Sequence, residues 1–445
     1  MDGNGNAVAA WMQTDSVRVS IWARRFIKNT GWEPPILLDN DVLDNLRFDQ
    51  LAVDTAGNAT LVGNQQIADG SSRVWVKRFR PATGWAATEY SEYLAGGHFV
   101  RENGGNQPPD ANGYRYATSA IDGSGNAFVV WPRAIAANNN RLSLWGARYT
   151  PSNGWATATT VSTPGPWDAA NPSIAVDARG NAVVAWESRT TSANGIGLDR
   201  SLLVNRFAIT PVVTATVPTW DTTTFTTGLD SQGLVSDVAR PQISFDASGN
   251  TAVTWKVGPP TNTVNSTYRY TAGTPWQTSS FLRDDTAADA RSRGVTVQDA
   301  AGNLLAVYPL LDPFSTSTRF REGRYNLVAQ RFVAATGWGP VQRIESDVGG
   351  DSVLSGVGID AAGHAVAVWT QQFYNAQGAV TTARVWANRF QPTTGWAMAN
   401  RLDTSAAAGV LGLSLASFDT NGNATVLWQQ TLSGSRTGVW ATSYR

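Results

Sequence analysis

The stretch NPSIAVDARGNAVVAW, Asn171 to Trp186, holds two short apolar runs joined at Asp177-Ala-Arg-Gly-Asn181. Runs of four to six residues rich in valine, alanine and tryptophan, bounded by Asn, Asp, Gly and Pro, are strand signals. Aspartate three residues before glycine suits a tight turn: the carboxylate caps backbone N–H groups and glycine takes positive φ. The stretch therefore reads as an antiparallel hairpin.

The turn recurs along the whole chain, at 2–6, 54–58, 122–126, 177–181, 246–250, 299–303 and 419–423, and at 360–364 with His364 replacing the asparagine. The mean period is about 60 residues, longer than the roughly 40 to 45 of a WD40 blade and ample for four strands with their loops. After each hairpin a variable connection leads to a third apolar segment of the type Val385-Trp-Ala-Asn-Arg-Phe390. A Pro/Thr/Gly turn then leads to a fourth, opening with Gly395-Trp396. No stretch sustains helical periodicity. The unit is predicted to be a four-stranded antiparallel sheet. Repeated around an axis, such sheets make an all-β β-propeller whose blades bury both faces against their neighbours. The expectation is one propeller domain over 1–445 with eight blades, both terminal ones incomplete: the first without its first strand, the eighth without its fourth. The alternative is seven blades, with the segment from Trp32 completing the last one. Residues 1–28 keep the repeat through Trp11, Trp22, Arg25 and Phe26, which favours eight.

Composition excludes several functions. The 445 residues carry 34 basic and 34 acidic side chains, two histidines and no cysteine, so thiolate metal sites, disulfides, cysteine nucleophiles and three-histidine metal sites are ruled out. Zero net charge without any basic run argues against a nucleic-acid surface. No apolar run approaches the roughly 20 residues needed to cross a bilayer as a helix. Phosphate-loop, dinucleotide and Gly-x-Ser-x-Gly signatures are absent. No cofactor or metal is expected. Asp2-x-Asn4-x-Asn6 echoes a calcium loop, but the glycine at position six and the distal glutamate are missing.

Framework can be separated from site by register. Of nineteen tryptophans, seventeen occupy three repeating positions: six residues after the turn glycine (Trp186), within the third segment (Trp386), or six past the aromatic that ends it (Trp396). A residue needed in every blade packs rather than reacts. The same holds for the arginine before the third-segment aromatic, Arg25, Arg78, Arg148, Arg206, Arg269, Arg331 and Arg389. These arginines are expected to stack on a tryptophan or pair with a turn aspartate, since a buried guanidinium must be satisfied.

Connection lengths select a face. The turns between first and second and between third and fourth strands share one end of a blade and are nearly invariant. The connections at the other end vary widely, and variable loops on a rigid scaffold are where binding resides. The two off-register tryptophans, Trp167 and Trp220, fall in these connections, as do Tyr90, Tyr93, His98, Phe99 and Tyr114 of the long insertion near 86–116. These seven are the candidate ligand-binding residues: exposed rings offer flat faces to a glycan or a protein, whereas buried ones anchor the loop. The carboxylates Glu89, Glu92, Glu102, Asp168, Glu187, Asp312 and Glu322 map to the same face, and a glycosidase needs two carboxyls about 5 Å or about 6.5 to 9.5 Å apart.

The strand–turn–strand unit from Asn171 through Trp186 resembles bacterial secreted β-propeller repeats, is similar in layout to NHL-type blades, and is distantly similar to the Asp-box repeats of sialidases. The resemblance implies a propeller outside the cell or in the bacterial envelope. A sialidase would also bring an arginine triad, and Arg47, Arg115, Arg240, Arg291 and Arg293 stand near first-strand starts without a motif that assigns one. Met1 directly precedes a repeat turn, so no signal peptide is expected in these residues. The functional expectation is a non-catalytic secreted or surface module with a glycan or protein ligand on the variable-loop face, and no nucleic acid or membrane insertion. The alternative is a sialidase-like glycoside hydrolase using the carboxylates of that face.

Overall fold

The computed structural model describes all residues except 15–18, 40–45, 67–71, 91–116, 136–140, 163–164, 166, 192–197, 210–219, 221–224, 227–240, 258–263, 275–280, 286–293, 312–324, 347–349, 376, 378, 404–414, 420–422, 432–436 and 445. The fold class is the expected one, an all-β propeller of eight antiparallel blades. Two compact units hold them: Met1–Leu234 with Val238–Ile243 and Gly273–Phe281, and Ser244–Ala272 with Leu282–Arg445 and Val235–Asp237.

Blade 3 shows the pattern. Thr118–Ile121, Ala127–Ile135 and Arg141–Thr150 pair in chain order, and Gly154–Trp155 and Thr159–Thr160 both pair with the third strand. Among the described residues the predicted fourth strand is thus two short pieces in five blades, for a countable reason. Trp155 faces Tyr149 and Thr160 faces Trp145, so five steps on one strand oppose four on the other. The extra residue makes a bulge. In blade 1, Gly31–Trp32 and Ile36–Leu37 pair with Val19–Ile27 of the same blade. The segment from Trp32 therefore stays in its own blade, and the seven-blade alternative fails. The first described sheet lacks a strand before Ala7–Thr14, and the eighth has three strands.

Each aspartate turn is closed by its own side chains. Asp299 Oδ1 accepts from the N–H groups of Ala301 and Asn303 at 2.9 Å, and Oδ2 from Asn303 Nδ2 at 2.8 Å. His364 keeps the closure, its Nδ1 lying 2.8 Å from Asp360 Oδ2. The turn carboxylates are therefore engaged by their own loops, as the capping reading requires. The asparagine then reaches sideways: Asn6 Oδ1 accepts from Lys28 N–H and Asn250 Oδ1 from Ala272 N–H. These bonds tie the two invariant turns together at one end of the blade. Glycine is required at 302 twice over, because φ is +82° and a Cβ would lie 2.9 Å from Asp246 Oδ2 of the preceding blade.

Between neighbouring blades within a unit the faces interlock. Trp131, Trp186 and Trp369 are fully buried, and mixed clusters join the blades, such as Val366, Val368, Val385 and Ala387 with Ala424, Val426 and Trp428. The repeating arginines form a ladder: Arg25 lies over Phe79, Arg78 over Tyr149, Arg148 over Phe207, Arg269 over Phe332, Arg331 over Phe390 and Arg389 over Tyr444, at 3.8 to 5.8 Å. The partner is the third-strand phenylalanine or tyrosine of the next blade, not the expected tryptophan. The physical reason is register: both residues sit at the same end of equivalent strands, so the cation meets the facing ring and is satisfied by its π-cloud. Burial lowers the pKa of Arg148, with the charge of Asp122 pulling the other way.

Candidate functional site

Trp167 directly precedes Asp168–Val176, whose far end enters the Asp177 turn, so it stands at the variable-connection end of blade 4. Its side chain is half-buried. The six-membered ring lies on Gly165, where a Cβ would come within 2.3 Å of Cζ2. Beside it, Asp168 Oδ1 accepts from Leu142 N–H at 2.9 Å and Oδ2 from Arg141 Nη1 at 3.0 Å. This bond joins the first strand of blade 4 to the third strand of blade 3.

Beneath that edge lies a buried polar group. Asn171 has φ +52°, an uncommon value for a residue with a Cβ, and sits where the pairing slips between Ala170 and Ser173. The slip turns its amide inward, where Nδ2 donates to Glu187 Oε2 at 3.0 Å. Arg189 Nη2 donates to the same oxygen at 2.9 Å, with Glu187 0% and Arg189 3% exposed. A fully buried ion pair is held together by its bonding and costs heavily if one partner is removed. The sequence reading found Glu187 but not Asn171 or Arg189; a charged pair after the framework tryptophan, where other blades carry residues such as Pro132 or Thr370, was the available signal.

The other described candidates are placed as follows. Tyr90 pairs opposite Trp75, and the Arg73 guanidinium caps its ring at 3.7 Å, which anchors it. Trp220 differs from expectation. It bridges to Phe207, is 8% exposed, and meets the rings of Phe207 at 5.5 Å and Phe128 at 6.2 Å. It therefore holds the place that Trp155 holds opposite Tyr149, reached after a longer connection, and belongs to the core. Tyr93, His98, Phe99 and Tyr114 lie outside the described residues, as do Glu92, Glu102, Asp312, Glu322 and every arginine considered for a triad except Arg47. Glu89 is an interblade tie. It accepts from Arg78 Nε and Nη2 at 2.9 and 2.8 Å and from Trp155 Nε1 at 2.8 Å. Burial works against the Arg78 charge, yet the bonds and charge of Glu89 and Tyr149 outweigh it and raise its pKa.

A second set of polar residues, seven positions past the Gly-Trp tryptophan, was not recognised from sequence: Ser162, Glu345 and Asp403. Each accepts from a third-strand N–H near the variable end, Leu144, Leu327 and Val385 respectively. Glu345 also bonds Arg343 and the hydroxyl of Ser352. Burial raises its pKa, while Ser352, the Leu327 N–H and Arg343 pull the other way. A shallow cleft of about 190 Å³ between blades 2 and 3, lined by Arg78, Arg80, Tyr149 and Pro151, opens at the opposite, invariant-turn end. Arg80 Nη2 bonds Tyr149 OH there at 3.0 Å. Among the described residues no group of three or more His, Cys, Asp or Glu is gathered as for a metal ion.

No protein-family model matches the chain, and no curated protein does. Among solved structures it is similar to the polysaccharide lyase Uly1, with 9% identity, 94% of each chain covered and a TM-score of 0.49. A PL25 ulvan lyase bound to a glucuronate–sulfated rhamnose unit aligns at 10% identity over 78% of this chain and 77% of its own, TM-score 0.39. The Hadza microbial sialidase Hz136 aligns at 10% identity over 83% and 71%, TM-score 0.35. At this distance no side chain of theirs maps to a role in this chain.

Proposed function

We propose that this chain is a non-catalytic binding module of the bacterial exterior or envelope, and that it holds a glycan at the variable-connection end of its blades. The observation that carries this reading is the contrast between one ring and the described carboxylates. Trp167 is half-buried and buttressed by Gly165, which makes a flat apolar face of the kind that a sugar ring covers. Asp168, Glu187 and Glu89 are each bonded to arginine and to further donors within the framework. A glycoside hydrolase needs one carboxyl to give a proton and a second to attack or activate water. Glu345, whose pKa is raised, is likewise spent on Leu327, Ser352 and Arg343. Trp167 is the lead contact, with Tyr93, His98, Phe99 and Tyr114 as its proposed companions. Trp220 is left out as a core ring, and Tyr90 serves as an anchor.

The test is a glycan-array comparison of the intact chain with Trp167→Ala, after circular dichroism shows both folded alike. Binding by the intact chain and its loss in the variant is the expected result. Undiminished binding by the variant removes Trp167 from the site. No glycan bound by the intact chain overturns the glycan reading and leaves a protein ligand for the same face.

A further inference from the structure

We propose that the cleft between blades 2 and 3 is a binding site for a small hydroxy-carboxylate, held by Arg80, Tyr149 and Asn58. Register sets one wall. Thr60 pairs opposite Arg78, so Thr60, Arg78 and Arg80 project to the same side of the blade 2 sheet. That side looks onto blade 3: Arg78 lies over the Tyr149 ring at 3.8 Å, and Arg80 Nη2 donates to Tyr149 OH at 3.0 Å. Asn58 reaches the same place, its Nδ2 3.4 Å from where a Cβ on Gly125 of blade 3 would stand. Positions alike in every blade carry the framework, so departures from the repeat point to a local task. Val8, Phe128, Val183, Leu305 and Val366 stand where blade 2 has Thr60, and blade 8 shares the threonine at Thr425. Ile27, Thr150, Ala208, Val333 and Gln391 stand where it has Arg80, and blades 1, 2, 4, 6 and 7 carry phenylalanine at the place of Tyr149. Three departures thus meet in one cleft.

The ligand class follows from what these groups have left to offer. Among the described residues the Arg80 guanidinium bonds only a neutral hydroxyl, so its charge faces the cleft without a carboxylate partner. Asp54, the nearby turn aspartate, is buried and spent on Ala56 and Asn58. Because Tyr149 OH accepts from Arg80, its own proton is available to a second acceptor. A guanidinium beside a hydroxyl donor suits a carboxylate. Asn58 supplies the opposite character. Its Nδ2 donates to Asp54 Oδ2 at 2.7 Å, which leaves Oδ1. In blades 1, 4 and 5 the equivalent oxygen accepts from the N–H of Lys28, Ile209 and Ala272. The matching residue of blade 2 is Pro81, which has no N–H to give. A ligand hydroxyl next to the carboxylate fills that role, with Pro151 as the apolar wall. Thr60 also lines the cleft, and its hydroxyl is buried with no hydrogen-bond partner among the described residues, a polar group that packing alone does not use. At about 190 Å³ the cleft is smaller than the roughly 300–1,000 Å³ of pockets for drug-sized molecules, so the ligand has few carbons. The cleft lies at the end of the blades away from Trp167, and the proposal does not depend on the glycan reading.

The experiment is a saturation-transfer NMR titration of the 445-residue chain with glycerate, beside propionate, which lacks the hydroxyls, and with sodium sulfate as competitor. Glycerate is expected to saturate one site, and propionate to bind at least about threefold more weakly for want of the Asn58 contact. Two variants locate the site. Arg80→Val and Tyr149→Phe each bring in the residue type that blade 6 carries, at Val333 and Phe332, so the fold is kept, which circular dichroism checks. Arg80→Val should weaken glycerate at least about tenfold and Tyr149→Phe about threefold to tenfold, a charged and a neutral hydrogen bond respectively. No saturable binding of glycerate, or equal binding by the native chain and both variants, would overturn the proposal. Propionate binding as tightly as glycerate would overturn the hydroxy-acid class, and sulfate binding more tightly than glycerate would overturn the carboxylate.

Discussion

Asp299 illustrates how much one side chain of the repeat does. It is 4% exposed and accepts two backbone N–H groups and one amide, so Asp299→Ala strands three donors and should cost about 1–3 kcal/mol, read as a lower urea midpoint. Arg331→Met should cost about 0.5–2 kcal/mol, because it keeps the stem but removes the cation over Phe390. Glu345 gives a pH signature. Its folded pKa is raised above the ordinary 4.5 by burial, so its contribution is fully present below that value and is lost as pH rises through the folded pKa. The stability of the native chain relative to Glu345→Gln should therefore be greatest in acid and decline toward neutral pH, measured by denaturation at a series of pH values. These residues were legible in the sequence to different degrees. The turn aspartates announce themselves by recurrence, while Glu345 alternates with serine and aspartate, so its shared task of capping a third-strand N–H shows only once the strands are paired.

The hairpins and the fourth strands teach opposite lessons about local reading. Ala182–Thr191 and its partners follow from apolar runs around an invariant turn, because a hairpin is a local structure with local signals. The fourth strand is divided by a bulge that no run of apolar residues reports, since it arises from counting residues against a partner strand. Trp220 makes the same point: thirteen residues from Phe207, it is out of register in the sequence and in register in the sheet. Trp220→Ala should destabilise the chain by about 3–5 kcal/mol, as for a large buried ring, visible in the melting curve. The variant is therefore unsuited to testing ligand contacts.

Each blade within a unit is joined to the next by the arginine ladder and a shared apolar layer, so damage should spread to neighbours first. Arg78→Ala, which removes the cation shared by Tyr149 and Glu89, should lower hydrogen-exchange protection in blades 2 and 3 while blades 6 and 7 stay protected. With 34 charges of each sign, the chain should show no salt-dependent retention by double-stranded DNA in a gel-shift assay.

The sequence by itself determined the all-β class, the repeat of about 60 residues and the identity of most framework residues. Each of these rests on short-range patterns copied eight times, and repetition separates signal from chance. Tertiary structure decided between eight blades and seven, by pairing Gly31–Trp32 and Ile36–Leu37 within the first blade, and it decided the partners: arginine on the next blade's phenylalanine or tyrosine, Trp220 in the core, and Asn171 turned onto Glu187. Those facts depend on which strands lie side by side and in what register, and pairing between distant strands is set by the summed packing of whole faces rather than by any one residue's neighbours in the chain.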